Sequence, residues 1–218
     1  MQFVLLAFWL LATALMARRG LYRAGCALLC GMLAVSMGTQ LWILGLNGLL
    51  SVDTALPLHL CSFSAVLALP MLLFKSQRLL AFELYLGAPG ALLALCFPAM
   101  LQCEQQFWMA VSFYQLHALI VCAPLLLLWS HPQPMPDDPR STLVLGNAYL
   151  LLVSLFNRLF GTNYLFLRRA PLGTPLALWF DQGYGVYIFA LEMAAMLLFT
   201  LLSVLYARLR YCRKYAAT

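Results

Sequence analysis

Residues 56–64 read LPLHLCSFS and place an imidazole, His59, and a thiol, Cys61, at the mouth of the apolar run AVLALPMLLF. A thiol becomes a nucleophile when an imidazole takes its proton. Residues two apart on a regular helix point to nearly opposite sides, so His59 and Cys61 are not a direct pair there. A base for Cys61 must come from another helix. The other intramembrane histidine is His117, in FYQLHALI. The bland alternative for each is a buried apolar thiol and an interhelical hydrogen bond.

Other polar residues stand out from the same apolar background. Arg158 recurs with Ser154 and Asn147 at helical spacing, so the three share one face. A guanidinium so placed snorkels to the interface, or pairs with a carboxylate or lipid phosphate. Glu192, on a stripe with Asp181, Gly185 and Ile188, is a candidate partner for it. Asn157, Asn163 and Tyr164 flank it. Glu83 reads as a water-facing acid or a partner of Arg78. Ionisable groups inside a membrane are costly, so they are functional hypotheses by default.

The elements that carry these residues follow from composition. The 218 residues are 64% hydrophobic and 9% charged, with a mean hydropathy of +0.89. Such a chain cannot cover a water-facing surface, since a soluble domain carries about 25% charge. The expected fold is all-α, a polytopic transmembrane helix bundle forming one domain over 1–218. Seven spans are expected, at 2–17, 24–46, 56–74, 79–101, 107–129, 142–160 and 183–207. The runs lack the alternation of a membrane β-barrel.

Two connections are long. SHPQPMPDDPRS (130–141) reads as a solvated connector. The stretch 161–183 is mostly apolar but broken by Gly and Pro, and reads as a reentrant or interfacial segment with Tyr164 and Trp179 near the headgroups. In span four, Gly87, Pro89 and Gly90 predict a kink that permits close helix approach.

The net charge of +6 has a topogenic reading. Arg18, Arg19, Arg23, Lys75, Arg78, Arg140, Arg208, Arg210, Arg213 and Lys214 fall on one side of a seven-span chain. This places the N-terminus outside and the C-terminus in the cytoplasm, in a bacterial inner membrane, with no role in binding nucleic acid. The seven cysteines form no CxxC pair, and neither a disulfide framework nor a metal site nor a bound cofactor is expected.

Taken together, PLHLCSFS, GAPGALLALCFP, FYQLHALI, FNRLFGTNYLFLRRAP and GYGVYI resemble the YwaF family of bacterial integral membrane proteins over roughly 50–190. The chain departs from that family in having DQGYGVY where GPWPWY is usual. The resemblance extends to eukaryotic polytopic proteins similar to membrane phospholipid acyltransferases. It implies a cysteine and a histidine on successive helices, at Cys61 and His117.

The expected chemistry is then acyl transfer or acyl-ester hydrolysis on a membrane lipid. Cys61 is the nucleophile, His117 its base, and His59 an orienting group. Asn157 or Asn163 supplies an oxyanion donor, while Arg158, with Tyr164 and Glu192, holds the headgroup. Two readings without chemistry compete with it: a small transporter or lipid-binding protein, and a structural membrane subunit.

Overall fold

The computed structural model describes residues 1–131, 139–170 and 175–215. The chain is an integral membrane protein, all-helical among the described residues, with two compact units, residues 1–133 and 134–218.

The N-terminal unit holds α1 (Gln2–Arg18), α2 (Tyr22–Leu46), α3 (Val52–Ala55), α4 (Leu60–Phe74), α5 (Gln77–Phe82), a π-helical turn (Glu83–Gly87), α6 (Ala88–Cys96) and α7 (Gln106–Ser130). Its axis is α7, which is apolar all round and buried almost continuously from Leu116 to Leu128. A helix of that kind belongs in the centre of a bundle. Helices α1, α2, α4 and α6 pack on it. Small residues bring the backbones close: Ala68, Ala91, Ala118 and Ala123 are fully buried. Side-chain bonds tie the ends of α2 to its neighbours. Asn47 Nδ2 donates to Gln105 Oε1 at 2.6 Å, and the Tyr22 hydroxyl donates to the Leu72 carbonyl at 2.6 Å.

The C-terminal unit holds α8 (Arg140–Phe160), a 3-10 turn (Tyr164–Phe166), α9 (Pro175–Phe180) and α10 (Tyr184–Tyr215). Helix α8 ends at Gly161, whose φ of 71° is left-handed and suits glycine. Leu151, Leu155 and Leu159 of α8 and Phe189, Met193 and Leu197 of α10 stand on the outside of the unit, as acyl chains require.

Several boundaries differ from the sequence reading. Among the described residues five helices are long and apolar enough to cross a membrane: α2, α5 to α6 as one run, α7, α8 and α10 to Leu209. Helices α1 and α4 are shorter, at 17 and 15 residues. They rise about 25 and about 22 Å, against a hydrocarbon core of about 30 Å. The expected span 56–74 loses its start because His59 is an extended N-cap, at ψ 146°. The expected span 79–101 ends at Cys96, because Phe97 precedes a proline and leaves the helical region at ψ 71°. Part of the connector 130–141 (residues 132–138) and of the segment 161–183 (residues 171–174) lies outside the described residues. The described part of the latter includes the 3-10 turn and α9.

The kink expected around Pro89 takes the form of the π-turn just before it. Proline has no N–H to donate and its ring crowds the preceding turn, so the helix widens there. The widened turn carries Glu83 inward, fully buried, and not to water or to Arg78 as the sequence suggests. Gly87 makes this packing possible. A Cβ there would meet Ser64 Oγ at 2.6 Å and collide with the Glu83 carboxyl. Replacing Gly87 with Ala should therefore destabilise the protein by about 1–3 kcal/mol, as overpacking does. Gly31→Ala in α2, where nothing stands within 4 Å, should be neutral or slightly stabilising. Thermal unfolding of both variants in the same detergent checks this; equal effects would contradict it.

Candidate functional site

The thiol and imidazole expected to react together do not form a pair. His117, on α7, is 4% exposed, and its Nδ1 donates to the Phe113 carbonyl of its own helix at 2.7 Å. A carbonyl only accepts, so this bond fixes the proton on Nδ1. The ring also lies against Phe113, with centroids 4.1 Å apart. Cys61 is partly buried on α4, and the titratable group within its electrostatic reach is Glu83. No hydrogen bond joins Cys61 to His117. Nucleophilic catalysis needs that contact, so the acyl-transfer reading is withdrawn. Among the described residues no three of His, Cys, Asp and Glu gather in a way that would hold a metal ion. His59, the N-cap of α4, has Asp53 as its electrostatic neighbour.

The two asparagines proposed as oxyanion donors serve the backbone after α8. Asn157 is fully buried. Its Nδ2 donates to the Tyr164 carbonyl at 2.8 Å. Its Oδ1 accepts from the Thr162 hydroxyl at 2.8 Å and the Tyr164 N–H at 2.9 Å. Asn163 Oδ1 accepts from the N–H groups of Arg168 and Arg169, and its Nδ2 donates to the Arg169 carbonyl, all at 3.0 Å. Within this frame Leu165 and Phe166 adopt φ of 58° and 56°, a left-handed conformation that non-glycine residues rarely take. The Tyr187 hydroxyl, from α10, donates to the Phe166 carbonyl at 2.9 Å. Tyr164 is fully buried inside the fold-back.

The fold-back brings two guanidinium groups to one cleft. Arg168 Nη1 donates to the carbonyls of Asn157 at 3.3 Å and Thr162 at 3.5 Å, near the carbonyl-rich end of α8. Arg158, exposed three residues before Gly161, makes no such bond. Together with Ser154 and Tyr184 they line an open cleft of about 290 Å³. Glu192, partly buried on α10, does not line it and forms no ion pair with Arg158. Asn147, exposed, donates to the Leu143 carbonyl of its own helix at 3.0 Å.

With this geometry in hand, the comparison with known families is decisive on kinship. The TMEM164 family matches residues 1–203. The chain belongs to the TMEM164 family. This corrects the YwaF resemblance, whose short blocks lie inside a match that spans most of the chain. No curated protein and no solved structure matches the chain.

Arg168 and Tyr184 were not singled out by sequence reasoning. The available signal was the asparagine pair at 157 and 163, which folds the chain back and returns Arg168 toward Arg158. Removing Asn157 takes away its bonds to the buried Tyr164 N–H and carbonyl, the carbonyl keeping the Leu167 N–H at 3.4 Å, a loss of about 1–3 kcal/mol. Asn157→Ala should thus cost clearly more stability than Asn163→Ala, whose bonds face the exposed side. Thermal unfolding of the pair checks the order, with limited proteolysis after Arg168 and Arg169 as a local readout.

Proposed function

We propose that the chain is a lipid-binding membrane protein whose C-terminal unit holds an anionic lipid headgroup between Arg158 and Arg168. The observation that carries this reading is the cleft itself: two guanidinium groups and two hydroxyls, with no carboxylate among its lining residues. Guanidinium forks match phosphate and carboxylate oxygens in bidentate fashion, and Ser154 and Tyr184 offer further donors. Arg158 lies within one turn of the end of α8, the depth at which headgroups meet a helix end. The apolar residues outside on α8 and α10 suit the acyl chains.

Arg158 is the informative residue, because Arg168 also supports the loop. Arg158→Ala should retain anionic phospholipid roughly tenfold less tightly, the equivalent of about 1.4 kcal/mol. Arg158→Lys should fall between, since an ammonium lacks the fork. Native mass spectrometry of the protein with phosphatidylglycerol against phosphatidylcholine reads this directly. Equal retention by wild type and Arg158→Ala would contradict the reading.

The same reading takes α1 and α4 as short crossings, giving seven, with the N-terminus outside. Reporter fusions after Gly20 and after Lys214 then report the same side. If α4 fails to cross, the two fusions report opposite sides; a tag at Met1 on the same side as the Gly20 fusion would show that α1 fails to cross.

A further inference from the structure

We propose that Glu83, with Ser64, forms a proton-binding site inside the membrane-spanning part of the N-terminal unit. Glu83 lies six residues into the apolar run Gln77–Cys96, about 9 Å along its axis. It is fully buried, as is Ser64 on α4. Both lie against Gly87, where the missing side chain leaves just the room they fill. Yet neither carboxyl oxygen nor the Ser64 hydroxyl has a hydrogen-bond partner. Three buried oxygens at one place without partners are exceptional, since an unpaired polar group costs several kcal/mol in hydrocarbon.

The carboxyl needs a positive partner or a proton, because an isolated carboxylate in such a medium is far more costly than a neutral acid. Among the described residues no cationic group bonds the carboxyl. Helices α4, α5, α6 and α7 pack against the turn. Their titratable groups are Cys61 on α4, Arg78 on α5, Cys96 on α6, and Tyr114, His117 and Cys122 on α7, with Tyr85 on the turn itself. None bonds the carboxyl, and Cys61 is a neutral neighbour within electrostatic reach. A metal ion fits poorly, since hard cations take about six oxygens or more and no cluster of metal-ligating side chains is found among the described residues. A proton fits. It leaves a neutral acid whose O–H reaches Ser64 after a small rotation. Release passes the proton to an entering water and leaves a carboxylate that requires the π-turn to open. This site belongs to the N-terminal unit and does not rest on the headgroup reading.

Infrared difference spectroscopy of the full chain in lipid bilayers tests it. A carbonyl stretch of a protonated carboxylic acid should be present at neutral pH, far above the ordinary glutamate midpoint of about 4.3. Glu83→Gln should abolish it, and Ser64→Ala should shift its frequency. Absence of the band, its survival in Glu83→Gln, its titration in the ordinary range, or its loss on adding sodium at fixed pH would each overturn the proposal. Should Glu83→Gln fail to fold, the Ser64→Ala spectrum decides alone: a shifted band supports the site and an unmoved band refutes it.

Discussion

Close packing around α7 is the contact on which the N-terminal unit depends. Lipid tails are as apolar as leucine, so helices in a membrane gain little by merely hiding apolar surface from each other. They gain by fitting. Ala118 and Ala123 on α7, Ala68 on α4 and Ala91 on α6 let backbones approach, and Gly25 on α2 receives Leu126 at about the closest distance a Cβ would tolerate. With that approach set, the π-turn before Pro89 has to go inward, and with it Glu83. A polar cluster thus sits among fully buried residues of the N-terminal unit.

The C-terminal unit depends on hydrogen bonds in place of close packing. After Gly161 the chain leaves the helix, and every freed backbone group needs a partner where water is scarce. Asn157, Asn163 and Tyr187 supply them. The frame is firm enough to hold two consecutive left-handed residues, a strain that persists only where the surroundings over-determine it. The same frame delivers Arg168 to the face that already carries Ser154 and Arg158. The structural amides and the guanidinium groups lining the cleft are therefore parts of one device.

The helical segments were legible in the sequence because long apolar runs have few other uses. The apolar runs over α7 and α8 end within two residues of the helix ends. Shorter runs outlast the helices they contain. Nothing in LPLHLCSFS says that the helix waits until Leu60, since that depends on the extended backbone His59 adopts. The site was legible in residue type and not in role. Ser154 and Arg158 do share a face, as their spacing predicts. The asparagines beside them looked like donors to a ligand and proved to be donors to a loop, because side-chain amides serve either use. Cys61 and His117 matched in depth by residue count, but depth does not fix the azimuth at which two helices present their side chains. Glu83 opens the π-turn and is buried, and no residue pattern announces such a turn beyond a nearby proline and glycine.

The functional account thus rests on two guanidinium groups meeting one headgroup. Solid-state NMR can observe that meeting, through dipolar coupling between the phosphorus of bilayer phospholipid and arginine guanidinium nitrogens. The account predicts that a phosphorus-coupled arginine signal is lost when Arg158 is replaced, and a second when Arg168 is replaced, in bilayers containing phosphatidylglycerol. Full coupling after both replacements, carried by other arginines of the chain, would contradict it.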